Sequence, residues 1–415
     1  MVYFTTTITA LLAGVAAANP TIHDHARRMQ NTMAKAAAAG TTFWYANMDH
    51  TGGPRGYSPD LGNDYSYEVF KSVNSGDGRA IQDAIDSNNG KERRHNWWAS
   101  QPRAMAEMRI RFVVYLPPGT YEVDSKIQLR VGTILMGDAT NPPAIKASRN
   151  WQGERNLING LDPRTAEAAH TTYPHGELSF TVGLKNVILD TTNIGGSSEF
   201  SDVHLSKSSS AYIENTWVWI ADHNTEGGGG CLIAAKGGVL VQATKGTWLH
   251  SLGSEHWWLY QLNLWEAKDV FVSMLQAETN YNQGSNAPQI PPAPWKANVR
   301  GWNDPDFSWC GGGDKICRKG YSNFITGGSG IRHYASTAWD FFSGPGNQGC
   351  DDAWGCSDVM HWISKQPSDL QLFGVCSKSA TNVLREANGN MISARPSFKG
   401  GWPGQGSDLG VYKVD

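Results

Sequence analysis

The chain has 415 residues, a net charge of −3 at pH 7 and 18% charged residues, so it has neither a strongly basic surface for nucleic acid nor a polyanionic tail. We therefore expect a partner without strong charge. Glycine (46 residues) and tryptophan (17 residues) are abundant; many glycines among short strands favour an all-β repeat architecture, and tryptophan either fills a core or stacks on the apolar faces of neutral sugars.

The N-terminus predicts export. Residues 8–18 form a short apolar run that ends in three alanines, small residues suited to cleavage, so residues 1–18 are predicted to be a signal peptide and the mature protein to be secreted and extracellular. The alternative is a cytosolic start with an Ala-rich helix. Residues 19–40 are interpreted as a leader or linker. No other apolar stretch reaches the length of a membrane span, so no membrane contact is expected.

The first regular element is predicted to be a helix. Apolar residues within 80–85 recur at helical spacing, and Asp77 precedes them as a possible N-cap. The polar, Arg-rich residues 89–109 are expected to form a loop.

Short strand signals follow at quasi-regular intervals, and turn residues such as Pro117-Pro118-Gly119 end them. Residues 196–210 are Ser-rich and weakly patterned, so we interpret them as a connector. The predicted strands lie within residues 112–116, 120–129, 133–136, 178–190, 211–220, 231–243, 247–252, 257–264 and 269–276.

An inexact repeat accompanies these strands. Residues 185–190, 214–219 and 268–273 each begin with a polar pair and continue with alternating apolar residues. Stacked short strands at such intervals are typical of a β-solenoid, and Asn or Asp at a coil corner tolerates the left-handed conformation. An antiparallel sandwich is the alternative, but the sequence has few of the two-residue hairpin turns that it requires.

The six cysteines fit an oxidising compartment. Four of them flank two short loops and predict two disulfides, whereas a zinc site would require paired CxxC or CxxH spacings that the chain lacks. Cys231 and Cys376 either pair or stay free. The predicted disulfides are Cys310 with Cys317 and Cys350 with Cys356.

Two glutamates carry the strongest chemical signal. Glu255 and Glu278 lie 23 positions apart in aromatic, strand-like runs, and this interval is about one coil of a parallel β-helix. Residues one coil apart stack on one face at the strand spacing. A pair of carboxylates among aromatic residues is what glycoside hydrolysis requires, although either glutamate can instead be a solvated or salt-bridged strand residue.

The surroundings of each glutamate predict its role in catalysis. Burial against Tyr281 would raise the pKa of Glu278 and keep it protonated as an acid, while Glu255 would stay ionised and activate water. Adjacent coils start about 5 Å apart, which suits retention of configuration, whereas inversion needs roughly 6.5–9.5 Å between the carboxyl groups.

Several segments together resemble the fungal and bacterial exo-β-1,3-glucanases of glycoside hydrolase family 55. The interval between GSEH at residues 253–256 and QAET at 276–279 is the most specific feature of this resemblance. The segments are residues 43–52 (FWYANMDHTG), 113–123 (VVYLPPGTYEV), 135–138 (LMGD), 142–148 (PPAIKAS), 184–192 (LKNVILDTT), 217–223 (WVWIADH), 253–263 (GSEHWWLYQLN), 276–281 (QAETNY) and 291–295 (PPAPW).

The resemblance implies a right-handed parallel β-helix, with parts of two such domains side by side and the active site between them. It implies hydrolysis of β-1,3-glucan from the non-reducing end with inversion. It places Glu278 at the position of the general acid and Glu255 near the attacking water, and it places Trp217, Trp219 and Tyr281 in sugar subsites. Neither a cofactor nor a metal is expected.

Other polar residues near these motifs are weaker candidates for substrate binding. Asp222 and His223 either orient a sugar hydroxyl or cap a coil corner. His256 and Gln276 flank the glutamates, although His256 can simply pair with Glu255.

The expected organisation places an N-terminal β-helix portion at residues 41–195, the connector at 196–210 and a C-terminal β-helix portion with the glutamates at 211–300. Residues 301–415 are rich in Cys, Gly and Trp and are expected to form irregular loops with some strands. Compared with the family pattern, the chain is shortened after Thr192.

Three functions fit these features. The first is a secreted exo-β-1,3-glucanase that acts as a monomer. The second is a non-catalytic or decayed glucan-binding protein with the same aromatic groove. The third is a pectin-degrading enzyme on the same fold, which would need clustered Asp residues for Ca²⁺, and we find no convincing cluster of that kind.

Overall fold

The computed structural model describes residues 66–87, 110–129, 133–138, 141–151, 156–159, 180–190, 197–207, 209–220, 222, 234–244, 246–282, 288–342, 350, 355–394 and 406–415. The predicted signal peptide, the leader, the motif at 43–52 and the Arg-rich loop lie outside these residues.

Within the described residues the chain forms two helices and twenty-two strands. The helices are α1 (Arg79–Asp86) and α2 (Val299–Trp302). The strands are β1 (Ser66–Ser72), β2 (Ile110–Leu116), β3 (Thr120–Val123), β4 (Ile127–Gln128), β5 (Thr133–Gly137), β6 (Ala144–Ala147), β7 (Ile158–Asn159), β8 (Phe180–Asp190), β9 (Ser197–Leu205), β10 (Ser210–Trp219), β11 (Ala234–Val241), β12 (Thr247–Glu255), β13 (Tyr260–Trp265), β14 (Lys268–Glu278), β15 (Tyr321–Thr326), β16 (Ser329–Trp339), β17 (Ser357–Lys365), β18 (Ser368–Lys378), β19 (Ala380–Arg385), β20 (Met391–Ser393), β21 (Gly406–Asp408) and β22 (Val411–Val414).

Two sheets run the length of the described chain. Sheet A has thirteen strands in the order β1-β2-β5-β8-β10-β12-β14-β16-β18-β21, with β3, β6 and β22 beside this path, and sheet B has nine in the order β20-β19-β17-β15-β13-β11-β9-β7-β4. From β8 to β19 successive strands alternate between the sheets, so each coil crosses from one sheet to the other and back. In the described part the antiparallel pairs are β18 with β21, β18 with β22 and β19 with β20, all near the C-terminal end. The other pairs are parallel, which rules out the sandwich and confirms the parallel β-helix.

A column of left-handed residues bends the long strands of sheet A. In each of these strands the residues before and after the left-handed residue pair with the adjacent strand, and the left-handed residue itself has a positive φ between 48° and 62°. Asn tolerates this conformation better than most residues, and the Asn215 side chain donates a hydrogen bond of 3.0 Å to Asn186 Oδ1. The column consists of Asn186, Asn215, Ser251, Met274, Ala335 and Gly374.

The sequence repeat is explained in part by this column. Residues 185–190 and 214–219 pair in register, and each carries a column asparagine. Residues 268–273 instead begin β14, where Asp269 is left-handed at the opposite corner of the coil. The third segment is therefore out of register with the first two, although it too carries a polar residue in the left-handed conformation.

The core lies between the two sheets and consists of inward-facing aliphatic ladders. Leu249, Val272 and Leu372 occupy equivalent positions on three strands of sheet A, and His333 occupies the same position on β16. All four are buried. Burial of such apolar surface is the main favourable term in folding.

Helix α1 is confirmed where the sequence predicts it. Its residues Ile81, Ala84 and Ile85 are buried, and the helix contacts β2 and β4. The Asp77 carboxylate accepts a hydrogen bond from the Ala80 backbone N–H at 3.1 Å, as an N-terminal cap does.

Two regions differ from their predicted structure. Residues 196–210 carry β9, a paired strand of sheet B, and not a plain connector; serine-rich composition hid a strand that pairs with β11 through its backbone. Residues 301–415 continue the solenoid from β15 onward instead of forming mainly irregular loops. The domain boundaries themselves stay a prediction.

Both predicted disulfides are present, Cys310–Cys317 and Cys350–Cys356. Cys376 is a free, buried thiol, and Cys231 lies outside the described residues. No helix in the described part of the chain is long and apolar enough to cross a membrane.

The buried His333 predicts a specific acid sensitivity. Burial lowers its pKa to about 3, with the nearby His361 as a further cause. The folded state therefore binds fewer protons than the unfolded state as the pH falls. The stability that depends on an uncharged His333 is fully present above pH 6.5 and is lost as the pH falls toward 3. When the pH is lowered from 7.5 to 4.5, the unfolding free energy of the wild type should fall by about 2.5 kcal/mol more than that of His333→Leu. Urea unfolding at both pH values measures this difference.

His250→Leu is the matched control, because the His250 ring is half-buried on the outer face of β12 and should give a smaller change. Parallel pH curves for His333→Leu and the wild type would contradict the prediction.

Candidate active site

Beyond the left-handed column, alternate residues of the sheet A strands point outward and form two parallel rows. The register places Glu255 directly opposite Glu278, which confirms that the 23-residue interval is one coil. The first row contains Ile188, Trp217, Gly253, Gln276 and Thr337, and the second contains Asp190, Trp219, Glu255, Glu278, Trp339 and Lys378.

Gly253 makes room beside the carboxylates. A Cβ atom at this position would lie 2.9 Å from Cδ1 of Trp217 and 3.4 Å from Oε1 of Gln276. The absence of a side chain lets Trp217 and Gln276 approach Glu255 from the neighbouring strands, where both oppose the rise of its pKa.

Glu255 is the more enclosed of the two acids, with 10% of its side chain exposed. Burial raises its pKa to about 7, and the charge of Glu278 adds to this shift. His256 and the hydrogen bonds from Gln276 and Trp217 oppose it. The elevated pKa therefore falls on Glu255, whereas the sequence analysis expected it on Glu278.

Glu278 is held by two aromatic residues through one of its oxygens. The Tyr281 hydroxyl donates a hydrogen bond to Oε2, and Nε2 of His256 lies 3.2 Å from the same atom. The rings of His256 and Tyr281 stack with centroids 3.6 Å apart. Burial and the charge of Glu278 raise the pKa of Tyr281, so this hydroxyl stays protonated and remains a donor.

His256 has a defined orientation and tautomer. It adopts a left-handed conformation (φ 68°), and its backbone N–H donates to the Glu278 carbonyl at 3.0 Å. Nδ1 lies 2.9 Å from the Ile220 carbonyl oxygen, an acceptor only, so Nδ1 carries a proton. Nε2 therefore faces both carboxylates, 3.2 Å from Glu278 and 3.9 Å from Glu255.

The three side chains converge closely. One donor atom from each of Glu255, His256 and Glu278 lies within 4.8 Å of the other two. An inverting acid–base pair needs roughly 6.5–9.5 Å between its carboxyl groups to accommodate water. The nearest oxygens of Glu255 and Glu278 lie closer together than this range, which argues against an inverting acid–base pair, and the role expected for Glu255 stays a prediction.

The other predicted residues differ in their access to a ligand. Trp217 is half-buried, but Trp219 is only 1% exposed and stacks on Trp217 with centroids 4.2 Å apart. Trp219 thus supports Trp217 and offers no free face to a sugar. Asp222 is half-buried and its charge acts on Tyr281, which places it beside the cluster. His223 lies outside the described residues.

The sequence analysis missed a buried network that holds the chain around Tyr281. The Thr279 hydroxyl donates to Asp340 Oδ1 at 2.8 Å, and Lys319 Nζ lies 3.5 Å from the same oxygen. Lys319 also donates to Asn282 Oδ1 at 3.4 Å. Thr279 and Asn282 lie on either side of Tyr281, so the network fixes the segment that carries its hydroxyl.

Aromatic residues from a later coil complete the surroundings of Tyr281. Phe341 and Phe342 meet its ring edge-on, with centroids 6.1 and 4.7 Å away. No sequence signal connects them with residue 281, because some sixty residues separate the segments and only the stacking of coils brings them together.

Comparison with known proteins adds sequence similarity to this geometry. Residues 74–271 match the family model described as rhamnogalacturonase A/epimerase, pectate lyase-like. The chain is 26% identical to the glucan endo-1,3-beta-glucosidase BGN13.1 of Trichoderma harzianum, with 98% of this chain and 99% of the relative aligned. It is 25% identical to the glucan 1,3-beta-glucosidase of Cochliobolus carbonum, over 48% of this chain and 28% of the relative.

Among solved structures, sacteLam55A from Streptomyces sp. SirexAA-E in complex with glucose aligns with a TM-score of 0.42 and 16% identity, over 74% of this chain and 52% of that protein. The alignment with the Trichoderma relative is 779 positions long, so a large part of that relative lies opposite gaps. The resemblance to β-1,3-glucanases, the pectate-lyase-like fold and the shortened length are confirmed.

The raised pKa of Glu255 predicts how the site affects stability. The folded state binds this proton more tightly than the unfolded state, whose carboxyl has a pKa near 4.5, so stability is lost as the pH rises from 4.5 through about 7. Glu255→Gln removes this loss and should raise the unfolding free energy by about 2 kcal/mol at pH 8 but little at pH 4.5. Thermal and urea unfolding at the two pH values test this expectation; equal effects at both would contradict it.

Proposed function

We propose that the chain is a secreted hydrolase of β-1,3-glucan that releases glucose from chain ends. The observation that carries the proposal is the in-register pair Glu255 and Glu278, joined by His256 and Tyr281 in one cluster. Similarity along nearly the whole chain to a protein named as a glucan endo-1,3-beta-glucosidase supports the substrate class. The predicted signal peptide and the two disulfides support secretion.

In the proposed mechanism the carboxylate pair holds one proton, and Glu278 delivers it to the glycosidic oxygen. Both of its described contacts fall on Oε2, so Oε1 can face the substrate. When the proton leaves, the Tyr281 hydroxyl stabilises the carboxylate that forms by donating a hydrogen bond to it. The bond from the anomeric carbon to this oxygen breaks as water attacks from the opposite face.

The water is activated by a group other than Glu255 in this proposal, because Glu255 lies beside the acid and not across the sugar from it. Register partners on adjacent strands point the same way, so a scissile bond cannot lie between them. Attack from the opposite face preserves the inversion that the resemblance implies.

Non-catalytic glucan binding is the second candidate, favoured by the large part of the Trichoderma relative that lies opposite gaps. Binding of laminarin by a folded chain that releases no sugar would select it.

The first functional prediction concerns Glu278. The purified chain should release glucose from laminarin, with the α-anomer appearing first in proton NMR spectra. Glu278→Gln should lower kcat at least about 100-fold, because protonation of the leaving oxygen is lost. An aryl β-glucoside whose leaving group needs no protonation should restore much of the rate. Equal loss on both substrates would contradict the acid role, and oligosaccharide products would replace the exo assignment with an endo one.

The second prediction concerns Glu255. Activity of the wild type should fall as the pH rises past about 7, where the pair loses its last proton. Glu255→Gln should keep kcat within about tenfold at its own optimum and move this decline away from pH 7, because the variant lacks the carboxyl group whose pKa is raised. The pH profile of kcat/KM measures the shift. Loss of kcat at every pH would instead assign Glu255 as the base.

A further inference from the structure

Three Lewis bases meet at one point in the active-site cluster. An oxygen of Glu255, Nε2 of His256 and an oxygen of Glu278 lie within 4.8 Å of one another. Because Nδ1 of His256 carries the proton that faces the Ile220 carbonyl oxygen, neutral His256 presents a lone pair at Nε2. Two carboxylates and a lone pair repel one another unless a proton or a metal cation lies among them.

We propose that Glu255, His256 and Glu278 bind a divalent transition-metal ion, with Zn²⁺ as its representative, in place of the proton that the cluster otherwise holds. One imidazole nitrogen and two carboxylate oxygens form a donor set that suits zinc and its first-row neighbours. Ca²⁺ and Mg²⁺ prefer sets made only of oxygen, so the imidazole disfavours them.

The distances require only a small adjustment. Ligands around a tetrahedral zinc lie about 3.3 Å apart, given bonds of about 2.0 Å. Nε2 of His256 is already 3.2 Å from Glu278 and 3.9 Å from Glu255. A small rotation of the two carboxyl groups supplies this adjustment, and 15% of the Glu278 side chain is exposed, which leaves a side from which an ion can enter.

The surrounding hydrogen bonds match those of a metal site. A ligating histidine commonly donates its other N–H to a carbonyl, as His256 does to Ile220, and such partners orient the ring. The Tyr281 hydroxyl holds Glu278, and the Gln276 side chain hydrogen-bonds with Glu255. Each of the three donors therefore has an external partner that orients it.

A second group of potential metal ligands is unsuited to binding a metal ion. Asp314, Cys317 and Asp358 also lie close together, but Cys317 is in a disulfide and has no thiolate to offer. The backbone N–H groups of Ile316 and Cys317 already donate to the Asp314 carboxylate.

The consequence for catalysis rests on the proposed function. A metal ion and the catalytic proton exclude one another, so Zn²⁺ should inhibit hydrolysis, and acidification or a chelator should restore it. Metal binding itself does not depend on hydrolytic activity.

The experiment measures Zn²⁺ binding by the purified full chain, without glucan, through competition with a chromophoric chelator. We expect one equivalent bound per chain. His256→Asn should weaken binding at least about 30-fold, because Asn keeps a donor toward Ile220 and tolerates the left-handed backbone but has no counterpart of Nε2. Glu278→Gln, which is nearly isosteric, should weaken it as well and serves if His256→Asn does not fold.

His250→Asn is the matched control and should bind as the wild type does. His250 lies on the same strand, but its ring packs between Tyr212 and Phe271 away from the cluster. Absence of a stoichiometric Zn²⁺ complex, or equal binding by His256→Asn and the wild type, would overturn the proposal. If Zn²⁺ binds as expected but no glucan is hydrolysed, the metal site stands and the proposed function fails.

Discussion

The parallel hydrogen-bond ladder between β12 and β14 is the constraint on which the site depends. It sets Glu255 opposite Glu278 at the spacing of neighbouring strands, so the two acids cannot move apart without breaking backbone hydrogen bonds. Their mutual repulsion is therefore built into the fold. The Tyr281 hydroxyl reduces this repulsion by donating a hydrogen bond to Oε2 of Glu278, the oxygen that Nε2 of His256 also faces.

Holding this arrangement requires support from both ends of the catalytic strands. The left-handed residues Ser251 and Met274 bend β12 and β14 at the same height, so the strand segments that follow remain side by side. Beyond the strands, Lys319 and Asp340 form a buried ion pair that fixes the segment around Tyr281. Breaking such a pair by removing one partner is strongly destabilising, which makes this segment rigid.

The sequence predicted the parts of this protein that depend on local pattern. Strand signals, the helix at Asp77, both short disulfides and the one-coil interval between the glutamates all reflect neighbours in the chain. The distribution of protons between Glu255 and Glu278 could not be predicted, because it depends on which acid the tryptophan and glutamine of other coils enclose. The Lys319–Asp340 pair was not predicted for the same reason. The Ser-rich strand β9 was not predicted because it pairs through backbone groups.

The direct pairing of β8 with β10 has a consequence for how such a protein can change in length. From Ala211 to Trp219 the two strands match residue for residue, on either side of the position where the chain is predicted to be shortened relative to the family pattern. In a solenoid each turn offers the next one the same backbone edge, so removing whole turns joins two compatible edges and leaves the remaining stack intact. Insertions or deletions of complete turns can thus alter the length of the molecule while the active-site residues on a distant coil keep their arrangement.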